Sequence, residues 1–219
     1  MNAIKTTVTI LLIFYSVASL GEAFTLCSFD KDKQLIRSKE LAEIVKADQD
    51  ARKNFQNMSQ EDMERMSIDD SKRRMRIGEI FGEGCFSHAE DYSAAALVFQ
   101  HGVVPEHFFQ TFLWAKKAVE LGDNKQMRLM ALGLDRYLVN SGYKQLFASQ
   151  AIKPNDEKCW CLHQIEKSFP EKIRKKYMGN TLEKQISWVN ELNKGQLCPN
   201  IYCAQNLKKT PRGTVLGFW

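Results

Sequence analysis

Six side chains between positions 100 and 150 bring together acid–base, cationic and amide chemistry: Gln100, His101, Asp135, Arg136, Gln145 and Gln150. His101 directly precedes Gly102, at the expected end of a helix, and an imidazole exchanges a proton near neutral pH. Asp135 and Arg136 are adjacent within a helical stretch, where Asp has poor propensity. In a hydrolase-like enzyme His101 would move the proton, Asp135 would orient or charge-stabilise it, and Arg136 would hold an anionic group. Gln100, Gln145 and Gln150 would line the same polar cleft. Structural explanations stand beside these roles. A protonated His is favoured at a helix C-terminus by the dipole, an internal ion pair accounts for Asp135 and Arg136, and the later glutamines can bond backbone across a loop. The residues fit a binding or interaction module, for an unspecified protein or small-molecule ligand, slightly better than a catalyst.

The elements that must position them are helical. From Ser87 or Asp91, Tyr92, Ala95, Ala96 and Phe99 predict a helix ended by Gly102 as a left-handed cap. Pro105 opens a second, with Phe108, Phe112, Ala115 and Val119 on one stripe and Gly122 at its end. Asp123 or Asn124 caps a third, striped by Met127, Met130, Leu134, Tyr137 and Leu138 and ended by Gly142. Short links make these antiparallel neighbours. Upstream, residues 33–58 read as a helix with Leu35, Ile36, Leu41, Ile44, Val45 and Phe55 on its apolar side, interrupted by Asp48, Asp50 and Arg52. Ser59 with Asp62 resembles a capping box. Ser67 to Asp70 gives a further start signal before Ile77, Ile80 and Phe81. Downstream, Asn180 caps a helix striped by Leu182, Ile186, Val189 and Leu192 and ended by Gly195. No stretch alternates cleanly enough for a strand. The expected fold is all-α: an antiparallel helical array over 24–150, then a disulfide-stabilised, Cys-containing extension and tail over 151–219.

Residues 1–23 have the parts of a secretory signal: Lys5, an apolar stretch from Val8 to Leu20, and small residues at Gly21 and Ala23. That stretch is shorter than the ~20 residues of a spanning helix, and none later approaches that length, so the expectation is a secreted chain, extracellular or periplasmic, with no membrane span after cleavage. The net charge of +5 comes from interspersed charges. The runs Lys72-Arg73-Arg74-Met75-Arg76 and 172–176 read as solvated helix faces. Without interleaved aromatics they do not indicate nucleic-acid binding. No Gly-rich phosphate loop, HExxH or GxSxG occurs, so no cofactor is expected. Asn57-Met58-Ser59 is a glycosylation sequon.

Cys27, Cys85, Cys159, Cys161, Cys198 and Cys203 are six, an even number that in an exported chain argues for disulfides. Cys159 and Cys161 are too close to pair with each other; they would reach Cys198 and Cys203, leaving Cys27 with Cys85. The alternative is a zinc site at Cys159-Trp160-Cys161-Leu162-His163 completed by the later pair, although no metal is the favoured expectation.

The runs Ala94 to Gly102, Asp135-Arg136-Tyr137-Leu138 and Gln145 to Gln150 resemble a mostly bacterial family of helical domains of unknown function. Its members read AA-x-I-x-QHG, DR-x-L and Q-x-(F/Y)-G-T-Q at similar spacings. Its Asp-x-x-x-Arg pattern is matched by Asp48 and Arg52, and its acid-to-Arg pattern by Asp70 with Arg73 or Arg74. The resemblance covers roughly 41–150, with Ala148-Ser149 in place of Gly-Thr. It implies that His101, Asp135, Arg136, Gln145 and Gln150 gather in one place. Residues 115–123 are also similar to the helix end of a Sel1-type repeat, in a single copy where stacking needs about three.

Overall fold

The computed structural model describes residues 26–155, 157–215 and 219; the leader read at 1–23 lies outside them. Local capping explains most element boundaries. Asp30 accepts the Lys33 N–H at 2.9 Å and starts α1, Lys31–Ala51. Ser59 and Asp62 exchange hydrogen bonds in a capping box that starts α2, Gln60–Gly82. The second start signal at Ser67 does not break this helix. Asp69 and Asp70 instead pair with Lys72 and Arg73 one turn on, which removes the reason for acids to end or begin a helix there. Phe55 falls in a 3-10 turn between the two helices and is exposed, as are Leu35 and Ile36, so α1 presents a narrower apolar stripe than its composition suggests.

The buried Asp91 carboxylate accepts the Ser87 and His88 N–H groups, both at 3.0 Å, and starts α3, Ala89–Phe99. Pro105 opens α4, Pro105–Glu120. Asp123 caps a single 3-10 turn, and α5 runs over Met127–Asn140. Gly133 lets α4 and α5 approach closely: a Cβ there would lie 2.9 Å from Thr111 Cγ2 and 3.0 Å from the Phe112 nitrogen.

After α5 the chain folds back in irregular strands. Ala151–Ile152 (β1) and Cys161–Leu162 (β2) pair antiparallel, two residues each, too short to leave an alternating pattern in the sequence. Then follow α6, Glu171–Met178, and α7, Leu182–Leu192, the latter capped by Thr181 rather than Asn180. The fold is all-α apart from this small ladder. Ile77, Ile80, Ala95, Ala96, Val98, Phe112, Met130, Leu134 and Leu138 form the centre of one core, each large aliphatic contributing about 1.5–3 kcal/mol by burial. Phe169, Met178 and Val215 of the extension join that same core, while Ala148, Leu162, Ile165 and Val189 make a smaller one.

All six cysteines are paired: Cys27 with Cys85, Cys159 with Cys198, and Cys161 with Cys203. No thiolate is left for zinc, and His163 is buried with Nδ1 2.6 Å from Gln205 Oε1. Among the described residues no helix is long and apolar enough to cross a membrane. The tail is docked at Trp219, whose indole donates to the Thr210 carbonyl at 2.8 Å and whose ring meets Phe169. Both basic runs depart from the solvated-face reading. Helical periodicity turns Arg74 and Arg174 inward, and both are buried.

Candidate functional site: the C-terminal end of α3

The last turn of α3 tightens, with the His101 and Gly102 N–H groups bonding back to Val98 and Phe99 at 3.1 and 3.0 Å. Such an ending leaves carbonyls pointing outward along the axis, where cations are favoured. Two arginines from different helices take them. Arg74 of α2 donates Nη1 to the His101 carbonyl at 3.2 Å, and Arg136 of α5 donates Nη1 to the Gln100 carbonyl. Arg136 also donates Nε to Gln150 Oε1 at 3.3 Å and lies over the Phe108 ring, 5.3 Å from its centre. Among the described residues neither guanidinium has a carboxylate within ion-pair distance. Burial pulls both below the ordinary guanidinium range.

The His101 side chain, at the same helix end, is about a quarter exposed. Its Nδ1 is 3.1 Å from Oδ2 and 3.3 Å from Oδ1 of Asp48, which is fully buried in α1. Asp48 also accepts from Arg52 at 2.9 Å and from Gln49 at 2.8 Å. Desolvation pushes the Asp48 carboxyl up, but the hydrogen bond and charge of His101 and the charge of Arg52 prevail and hold it below the usual range. Arg52 bridges on to Asp70, and Asp70 to Arg73, so that alternating charges tie α1 to α2. Arg73 Nε is buried without a hydrogen-bond partner, 3.8 Å from Asp48. With Nδ1 facing Asp48, the His101 Nε2 carries no hydrogen bond within the described residues.

Gly102 is not the left-handed cap expected; its backbone lies outside the positive-φ region. Glycine is required by proximity. A Cβ at Gly102 would sit 2.2 Å from the Cβ of His107, whose ring folds back to accept the Val103 N–H at 3.2 Å and packs edge-on against Phe99. Burial, with help from the Arg74 charge, pulls the His107 imidazole down.

Asp135 and Gln145 lie elsewhere. The fully buried Asp135 carboxylate accepts the N–H groups of Leu146 at 2.8 Å, Phe147 at 2.9 Å and Ser149 at 2.9 Å, and the Ser149 hydroxyl at 2.8 Å. Burial pushes this carboxyl up while those donors pull it back. Gln145, equally buried, accepts the Gln150 N–H at 2.8 Å and donates to the carbonyls of Gln150 and His163. Together they hold residues 145–150 in a closed loop. Gln150 is the link: its side-chain oxygen faces Arg136 and its amide nitrogen meets Ser149 Oγ.

The predicted cleft therefore divides. Gln100, His101, Arg136 and Gln150 gather at the end of α3, whereas Asp135 and Gln145 build the loop behind it. The carboxylate that orients His101 is Asp48. Its signal was present: Asp48 follows Leu41 by seven residues and Ile44 by four, a charge on an apolar stripe. Asp70 and Arg74 precede Ile77 in the same register. Compared with family models, with characterised proteins and with solved structures, the chain finds no match.

Proposed function

We propose that the chain is an exported binding module whose site at the end of α3 takes an anionic group of a small-molecule or protein ligand. Export is supported by the leader at 1–23 and by the three disulfides, which persist in oxidising compartments. One observation carries the binding reading. Arg74 and Arg136 meet the last α3 carbonyls, those of His101 and Gln100, and among the described residues neither has a carboxylate within ion-pair distance. Guanidiniums are planar forks suited to carboxylate or phosphate, and ones without a carboxylate in direct contact, in a partly desolvated place, attract an oxyanion. The test is isothermal titration of the mature protein with citrate and phosphate at fixed ionic strength, repeated on Arg74→Gln and Arg136→Gln. Saturable binding weakened about tenfold by each substitution supports the reading; equal weak binding in all three proteins overturns it.

A second reading, hydrolase-like acid–base catalysis, is favoured by the His101–Asp48 pair alone. A buried carboxylate on Nδ1 fixes the tautomer and leaves Nε2 to take or give a proton. Asp48 replaces Asp135 in that role. Turnover of any ester or phosphoester that is abolished by His101→Gln and reduced by Asp48→Asn would place this reading first.

A further inference from the structure

A concavity of about 200 Å³ lies where the extension meets the loop after α5 and shares no lining residue with the end of α3. Its walls are Lys144, Gln164, Ile165, Lys167 and Tyr202. Three irregular strands create it. The Gln145 N–H donates to the Gln164 carbonyl at 3.0 Å, the Glu166 N–H returns to the Gln145 carbonyl at 2.8 Å, and the Leu162 N–H donates to the Ile201 carbonyl at 2.7 Å. The Cys161–Cys203 bridge fastens the third strand to the second. The pocket is thus framed by backbone pairing and a covalent link, not by side chains that can drift apart.

Its polar content is unspent. Among the described residues, the side chains of Lys144, Gln164, Lys167 and Tyr202 make no hydrogen bond or ion pair. Lone surface lysines are commonplace, but here two ammoniums, an amide and a phenol meet at one depression that no acidic side chain among the described residues lines. Glu166, between Ile165 and Lys167 in sequence, is buried and its Oε1 accepts the Ser168 hydroxyl at 2.8 Å. Arg174, about 1% exposed, donates Nε to the Leu146 carbonyl at 3.0 Å, pairs with Glu171 through Nη1, and has a buried Nη2 with no partner. Its charge reaches Tyr202: burial raises that phenol and Arg174 opposes the rise.

We propose that this concavity is a separate binding site for a small phosphate-type oxyanion, with Lys144 and Lys167 as charge partners, Gln164 and Tyr202 as neutral donors and Ile165 as an apolar wall. The volume falls below the roughly 300 Å³ at which sites for drug-sized ligands begin, which limits the occupant to a single group. Lysine acts on phosphate as a point charge with rotatable donors, which suits an open rim better than carboxylate recognition, where a planar fork has the advantage.

The experiment is a titration of the oxidised, ¹⁵N-labelled full-length mature chain with inorganic phosphate, read amide by amide, against sodium chloride at matched ionic strength. The expected result is a saturable shift confined to 144, 164–167 and 202 that persists in Arg74→Gln/Arg136→Gln. Lys144→Gln/Lys167→Gln should weaken it about tenfold or more. Both lysines reach solvent, so that variant should keep its spectrum elsewhere; Tyr202→Phe, which removes one donor, should weaken binding about threefold. A shift that is absent, that does not saturate, that chloride reproduces, or that survives the double lysine substitution overturns the proposal.

Discussion

His101 Nδ1 lies 3.1 Å from Oδ2 of Asp48, joining the end of α3 to the last turn of α1 across 53 residues of sequence. The carboxylate is fully buried and the imidazole is not. The contact is therefore both an interior tie and a surface group with a fixed orientation.

That tie sets an acid limit. The Asp48 carboxyl is held below its ordinary value of 3.8 in the folded protein. A depressed folded-state value means that the unfolded chain binds the proton first, so the contribution is complete above about pH 4 and is lost as pH falls through the lowered value. Glu40, held down by Arg76, and Glu83, held down by Arg37, act in the same direction. Urea unfolding between pH 7 and pH 3 should show stability falling at the acid end. Asp48→Asn should cost about 3 kcal/mol at pH 7, because it removes the buried charge that His101 faces and leaves Arg52 with Asp70 alone as its ion-pair partner, and should flatten the acid decline.

Asp135→Asn tests whether that carboxylate serves the loop or a ligand. The amide that replaces one oxygen would face the N–H and hydroxyl of Ser149 with donors of its own. A loss of about 2–4 kcal/mol is expected in chemical denaturation, with ligand affinity at the α3 end unchanged in the fraction that folds. Ser149→Ala should cost about 1 kcal/mol.

Two glycines should respond oppositely to alanine. At Gly102 the new methyl collides with His107, and a loss of about 2 kcal/mol or more is expected. At Gly78, within α2, nothing lies within 4 Å of the added Cβ. There alanine should stabilise by about 0.5–1 kcal/mol through helix propensity. Thermal melts of both variants read the difference directly.

Much of this architecture is legible residue by residue. Ser59 with Asp62, Pro105 and Gly142 announce their helix boundaries because capping is local chemistry. The site is less so. His101 and Gln150 are identifiable as polar residues at element ends and Arg136 as a charge within a helix, but nothing near Asp135 says that its partners are backbone N–H groups of its own following loop. Nothing near His101 says that its partner lies in α1. The exposure of Leu35 and Ile36 is equally hidden, since an apolar stripe is only as wide as the neighbour that covers it.

Ala148 offers a fourth test. It is fully buried with φ of 59°, a left-handed conformation that costs an L-residue about 1–2 kcal/mol. Ala148→Gly removes that cost but loses a buried methyl and adds freedom to the unfolded chain, terms of similar size. The expected change is within about 0.5 kcal/mol, whereas Ala96→Gly, buried in α3 with ordinary backbone, should lose about 1–2 kcal/mol. Equal losses at the two positions would contradict the strain at Ala148.

The three bridges segregate along the chain. Cys27–Cys85 closes before α3, and both others close after residue 158, so that no covalent link crosses the segment between. A protease cutting within 152–158, where Lys153 and Lys158 are exposed, would leave two fragments that separate on a non-reducing denaturing gel. In native buffer the same nicked protein should still elute as one species, because Phe147 and Phe169 face each other from opposite sides of the cut, 5.0 Å between ring centres. The halves are held by packing and by hydrogen bonds such as those of Gln145 with Gln164 and Glu166, and could be made apart and mixed.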